Sequence, residues 1–154
     1  MILDNVLTSF AFGLVATAAM TSIEVVFWKR WGLEGVFEWH ENQVITERVL
    51  KISKRPHFAG IFFWHFLNGG LGGVGFFILS SIFPNVMPII LYTGFGFFLW
   101  LVTLIPIHKP ITGLDPWNHP LGKIPPLASL GGHFVYGVVL GILFFNFITQ
   151  SSIF

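Results

Sequence analysis

Four apolar stretches, running from about Val6 to Trp28, Phe58 to Phe83, Pro88 to Ile107 and Pro126 to Phe147, take up most of this 154-residue chain. Each reaches or approaches the ~20 residues that an α-helix needs to cross ~30 Å of hydrocarbon at ~1.5 Å per residue. None alternates with the period of two expected of a barrel strand. The reading is therefore an all-α, polytopic membrane protein: one four-helix domain over residues 1–154, with connecting loops at 29–57 and 108–125. Only 10% of the residues are charged and the mean hydropathy is +0.77, against roughly 25% charged in ordinary soluble domains. That excludes a soluble globular fold, and nineteen Phe with a formal net charge of +1 exclude intrinsic disorder. The first stretch begins Met1-Ile2-Leu3-Asp4, without a basic leader, and outlasts the ~7–15-residue core of a signal peptide, so it reads as a retained span.

Charge sets the expected orientation. Lys29, Arg30, Arg48, Lys51, Lys54 and Arg55 lie in the first long link, and Lys109 and Lys123 in the second. Basic residues hold loops in the cytoplasm, so both links are expected there, with both termini outside and the protein multi-pass in the cell membrane. From Glu41 to Ser53, Ile45, Val49 and Ile52 fall at helical spacing and Glu47 and Lys51 form an i,i+4 pair, which predicts a short amphipathic helix at the interface. Trp28, Trp31 and Trp39 suit the aromatic belt on that side. Residues 109–120 are rich in turn formers and read as irregular.

Several function classes drop out. With no Cys there is no disulfide, thiolate metal site or cysteine nucleophile. A charge near zero offers no basic face for nucleic acid. In Trp39-His40-Glu41-Asn42 the second His of H-E-x-x-H is missing, because position 44 is Val. No G-x-S-x-G occurs, and the glycines from Gly69 to Gly75 lie inside a span rather than in a phosphate loop.

Spans two and four share the pattern H-F-x-x-G-x-x-x-G, at His65 to Gly73 and His133 to Gly141. Both helices run in the same direction, which suggests a repeated helical hairpin. Glycines four apart leave a groove where a second backbone can approach, the main device for helix association in lipid. Gly69, Gly73, Gly137 and Gly141, with Gly13 and Ala16 on span one, are the expected packing positions. Spans one, two and four should pack closely, with the Phe-rich third more peripheral.

His65 and His133 share the stripe of their glycines and lie roughly 10–12 Å from the loop-side boundary, with Glu24 roughly 6 Å deep. Ionisable groups at such depth meet a partner or a water-filled cavity. Glu24, His65 and His133 are thus candidates for one polar pocket, and as a carboxylate and two imidazoles they are candidate metal ligands or proton-handling groups. The alternative is that each His bonds a neighbouring helix while Glu24 extends to the interface beside Lys29 and Arg30. No pair among them has the i,i+3 or i,i+4 spacing of a helical metal motif. Glu38, His40, Glu41, His57, His108, Asp115 and His119 form a second polar set in and beside the loops, read as a solvated or partner-facing surface. No catalytic residue and no cofactor is assigned, a metal ion being the one candidate ligand.

The segments Gly13-Leu14-Val15-Ala16-Thr17-Ala18-Ala19-Met20-Thr21 and Gly132-His133-Phe134-Val135-Tyr136-Gly137-Val138-Val139-Leu140-Gly141 resemble the first and last helices of a group of small, uncharacterised four-helix prokaryotic integral membrane proteins. The resemblance implies the four-span topology and no particular reaction. The function expected from the residues is a non-catalytic accessory subunit of a larger membrane complex, such as a respiratory or other membrane oxidoreductase assembly, with other membrane subunits and the lipid bilayer as partners. The alternatives are a small oligomeric transporter or channel with an intramembrane Glu/His pocket, or a metal-binding membrane protein.

Overall fold

The computed structural model describes residues 2–52, 55–84 and 86–151, and these form helices and turns without strands. Met1, Ser53 and Lys54, named above, lie outside the described residues. Helix α1 runs Ile2–Trp31, and a 3-10 turn, Leu33–Gly35, leads into α2, Phe37–Leu50. Helix α3 is Phe58–Ile82 and α4 is Pro88–Val102. A π-helical segment, Thr103–His108, joins α4 to the short α5, Lys109–Thr112, and α6 runs Ile124–Ser151. Four helices, Leu3–Trp31, Phe58–Ile82, Pro88–Thr112 and Ile124–Phe147, are long and apolar enough to cross a membrane. The protein is a four-helix polytopic membrane protein.

The third span extends past Pro106, where an ordinary helix would break. Proline lacks an N–H, and its ring collides with the carbonyl four residues earlier. Here the backbone widens to π geometry around Pro106 and then carries on to Gly113, whose φ of 79° closes it.

Helix α1 packs against α3 on one side and α6 on the other, and α6 in turn packs against α4. On the α1–α3 seam, a Cβ at Gly13 or Gly73 would run into the backbone of the facing helix, and Gly69 sits under Thr17. The α4–α6 seam is the same kind of contact: a Cβ on Gly96 would strike the His133 carbonyl, and one on Gly137 would lie 3.2 Å from the Gly96 Cα. Gly141 makes room for the Tyr92 ring, and Ala16 is buried at the centre. The third span is the least buried of the four and packs mainly on α6, in keeping with a peripheral position, and Gly96 supplies a glycine of its own to that contact. Helices α3 and α4 meet mainly through side chains, with Phe76 against Tyr92 and Phe95. A groove remains between them.

The apolar centre holds Ala16, Met20, Phe76, Phe95, Tyr136, Leu140 and Phe144. A second cluster of Val36, Trp39 and Ile61 fastens the start of α2 to α1 and α3.

Candidate functional site

Helix α2 carries the main departure from expectation. Its buried residues include Glu38, Glu41, Asn42 and Thr46, which recur at helical spacing and form a polar stripe. Val49 is 61% exposed and Leu50 is exposed with it. The helix thus turns its polar face into the loop end of the bundle and leaves the apolar Val49 and Leu50 on its outer side. Gln43 holds the fold-back in place: its Oε1 accepts from the His57 N–H at 2.8 Å, and its Nε2 donates to the Arg55 carbonyl at 2.9 Å and to Glu47 at 2.7 Å. Lys51, at φ 53°, ends the helix in the left-handed region. Arg48 ties the far side by donating to the Ile111 carbonyl.

The inward face of α2 meets three polar groupings. In the first, Glu24 is only 1% exposed, and its Oε2 accepts from the Trp39 indole N–H at 2.9 Å and lies 3.1 Å from His65 Nε2. Glu24 therefore does not reach out to Lys29 and Arg30, and Trp39 belongs to the interior instead of an interfacial belt. Thr21 spends its hydroxyl hydrogen on the Thr17 carbonyl, so at 3.0 Å it accepts from His65. That assigns the proton to His65 Nε2.

In the second grouping, Ser129 makes a short hydrogen bond to Glu38 Oε1. His133 Nδ1 lies 3.4 Å from the same oxygen and donates to the Ser129 carbonyl at 2.9 Å. Its Nε2 faces Thr103 Oγ1 at 3.5 Å. In the third, Glu41 Oε1 and His108 Nδ1 are 2.9 Å apart, with the Phe37 ring 3.9 Å from the imidazole and His40 and His119 nearby. The π segment matters here, because one added residue turns all that follows by about 100° and so decides which way His108 points.

The structure thus brings Glu24 and His65 into contact, and gives His133 a different carboxylate, Glu38. Among the described residues no group of three or more His, Asp or Glu is arranged to hold a metal ion. Of the remaining polar set, Asp115 pairs with Lys109 at 2.8 Å on the surface, and His57 caps α3 through the Gly60 N–H.

A cavity of about 380 Å³ opens beside these groupings, lined by Glu38, Glu41, His65, Asn68, Thr103 and His133 on its polar side and by Leu99, Val102, Ile107 and Ile111 on its apolar side. Glu38 Oε2 and Glu24 Oε1 are buried without a hydrogen-bond partner, as is His108 Nε2. Burial, reinforced by the Glu24 charge, pushes the Glu38 carboxyl up to about 8. Burial also raises Glu41 well above the carboxylate range and holds His40 and His119 below that of a free imidazole. The loop end is consequently a place where protonated acid and neutral imidazole coexist near neutral pH.

Glu38, Glu41, Ser129 and Thr103 escaped the sequence reading because they were assigned to a surface loop or to spans without remark. The available signal was the polar stripe at 38, 41, 42 and 46, which in a chain this apolar marks a face turned toward protein.

No family model matches the chain, and no curated protein or solved structure matches it either.

Proposed function

We propose that the protein is a non-catalytic, ligand-holding subunit of a larger membrane assembly, oriented with its loop end toward the cytoplasm. The observation that supports this reading is a protonatable cavity backed by a packed, largely aromatic layer. Glu38, His65 and His133 border it at the loop end, while Ala16, Phe76, Phe95, Tyr136 and Leu140 fill the bundle beyond it. A pocket of this form can hold a molecule, hydrogen-bond it and exchange a proton with it, but a packed aromatic layer gives no path onward for ions or solutes. A ligand held in this way is put to use by neighbouring subunits.

The same aromatic layer weighs against the transporter or channel reading, in which Glu24, His65 and His133 line a path. The spread of the three groups over two separate pairs weighs against the metal-binding one. Extraction from native membranes in a mild detergent tests the proposal: a stoichiometric membrane partner should co-purify. Quantitative recovery as a monomer or homo-oligomer would overturn it.

A further inference from the structure

The loop-end cavity adjoins the groove between α3 and α4, whose lining residues Leu71, Ile90 and Phe98 are exposed on the outside of the bundle. Gly72 and Leu99 line both. The groove has a volume of about 660 Å³, and among the described residues its walls are Leu, Ile, Val, Phe and Gly alone. The two spaces together have the form of a binding site for one amphipathic molecule, with a polar chamber at the loop end and an apolar groove running between α3 and α4 toward their connecting turn.

Charge decides what kind of head fits. Two carboxyls, Glu38 and Glu41, face the chamber, and among the described residues neither Lys nor Arg lines either space. A phosphate head would meet acids and no cation to pair with. A neutral head with carbonyl oxygens finds donors instead: the Asn68 amide, the Thr103 hydroxyl and the otherwise unpartnered Oε2 of a protonated Glu38. Leu99, Val102 and Ile107 supply an apolar wall for a flat ring.

The groove is kept open by missing side chains. A Cβ built on Gly94 has no neighbour within 4 Å, and one on Gly75 meets only the Phe95 ring at 3.9 Å. These two glycines are not needed for helix contact, unlike Gly73 or Gly137. They leave room that a hydrocarbon chain can occupy.

We propose that the α3–α4 groove and the loop-end chamber together bind an isoprenoid quinone, its ring among Glu38, Asn68, Thr103 and His133 and its chain along Gly72, Gly75 and Gly94. The inference rests on the ligand-holding half of the reading above and not on the partner, so loss of a co-purifying subunit leaves it standing, and failure to bind quinone leaves the assembly standing.

The test is saturable quenching of tryptophan fluorescence by decyl-benzoquinone and decyl-naphthoquinone on the purified full chain. Gly94→Leu and Gly75→Leu fill the groove without striking backbone and favour the helix. Each should weaken binding at least tenfold at unchanged helicity by circular dichroism. His133→Ala and Asn68→Ala should weaken it from the head side. Should a head variant misfold, Gly94→Leu still decides. Quenching that does not saturate, or that Gly94→Leu leaves unchanged, overturns the proposal. Displacement of the quinone by decanoic acid or a short-chain phosphatidic acid at equal concentration overturns the neutral-head assignment.

Discussion

Carboxylates as deeply buried as Glu24 persist in a membrane bundle only when their partners offset the loss of water. Glu24 has two, the Trp39 indole and His65. Hydrogen bonds between membrane helices average about 0.6 kcal/mol and reach about 1.7, and a charge-assisted pair belongs at the upper end. A double-mutant cycle of Glu24→Gln and His65→Ala, followed by unfolding in mixed micelles, should give a coupling of about 1–2 kcal/mol. A value near zero would mean that the two side chains do not interact. Glu38 makes a pH prediction. Its carboxyl moves from an ordinary 4.5 to about 8 through burial, so the folded protein holds this proton more tightly than the unfolded chain. The resulting stability is complete below about pH 4.5 and is lost as pH rises toward 8. His40 and His119, held low by burial, act the other way, with stability lost as pH falls below their ordinary 6.5. Across the interval from about 6.5 to 8 these two imidazoles change little, and comparison with Glu38→Gln separates the Glu38 carboxyl from other titrating groups. Across it the melting midpoint in detergent should fall, and Glu38→Gln should reduce the slope. A slope unchanged by that substitution would show that Glu38 already carries its charge.

At the scale of the helix, two kinds of glycine make opposite predictions. Gly73 and Gly137 lie against backbone, so Gly73→Ala and Gly137→Ala force helices apart and should cost about 1–3 kcal/mol, as overpacking does. Gly94 borders open space, so Gly94→Ala should be neutral or stabilise by up to about 1 kcal/mol through helix propensity. Equal effects at the three positions would refute the seam assignments. The sequence pattern already singled out Gly73 and Gly137, since the period of four survives in any register of the bundle. It passed over Gly96, which lies in a Phe-rich run without a glycine at the matching offset. Pro106 was read as close to the end of the span because proline blocks the α-helical hydrogen bond, and local rules do not say when a π turn will absorb it. The burial of the polar face of helix α2 was missed for a related reason. Its apolar residues formed a plausible membrane-facing stripe, whereas the partners of its polar face, Ser129 and His108, are 91 and 67 residues away along the chain. Contacts at that separation leave no local periodicity to read.

For the whole molecule, the question that geometry leaves to chemistry is which way the bundle faces. The loop end carries the polar cavity, and every Lys and Arg of the chain lies in the two links that meet there. Translocating those residues is costly, whereas the terminal end has none to translocate, so the cavity should open on the cytoplasmic side. The chain contains no Cys, so single cysteines can be introduced one at a time without a background. Met87 is 64% exposed in the turn between α3 and α4, and Lys123 lies in the opposite link just before α6. With a membrane-impermeant maleimide on intact cells, Met87→Cys should label at once and Lys123→Cys only after permeabilisation. The reverse pattern would place the Glu/His cavity on the outer face, where the surrounding pH is set by the medium, and the pH dependence derived for Glu38 would then describe a response to the exterior.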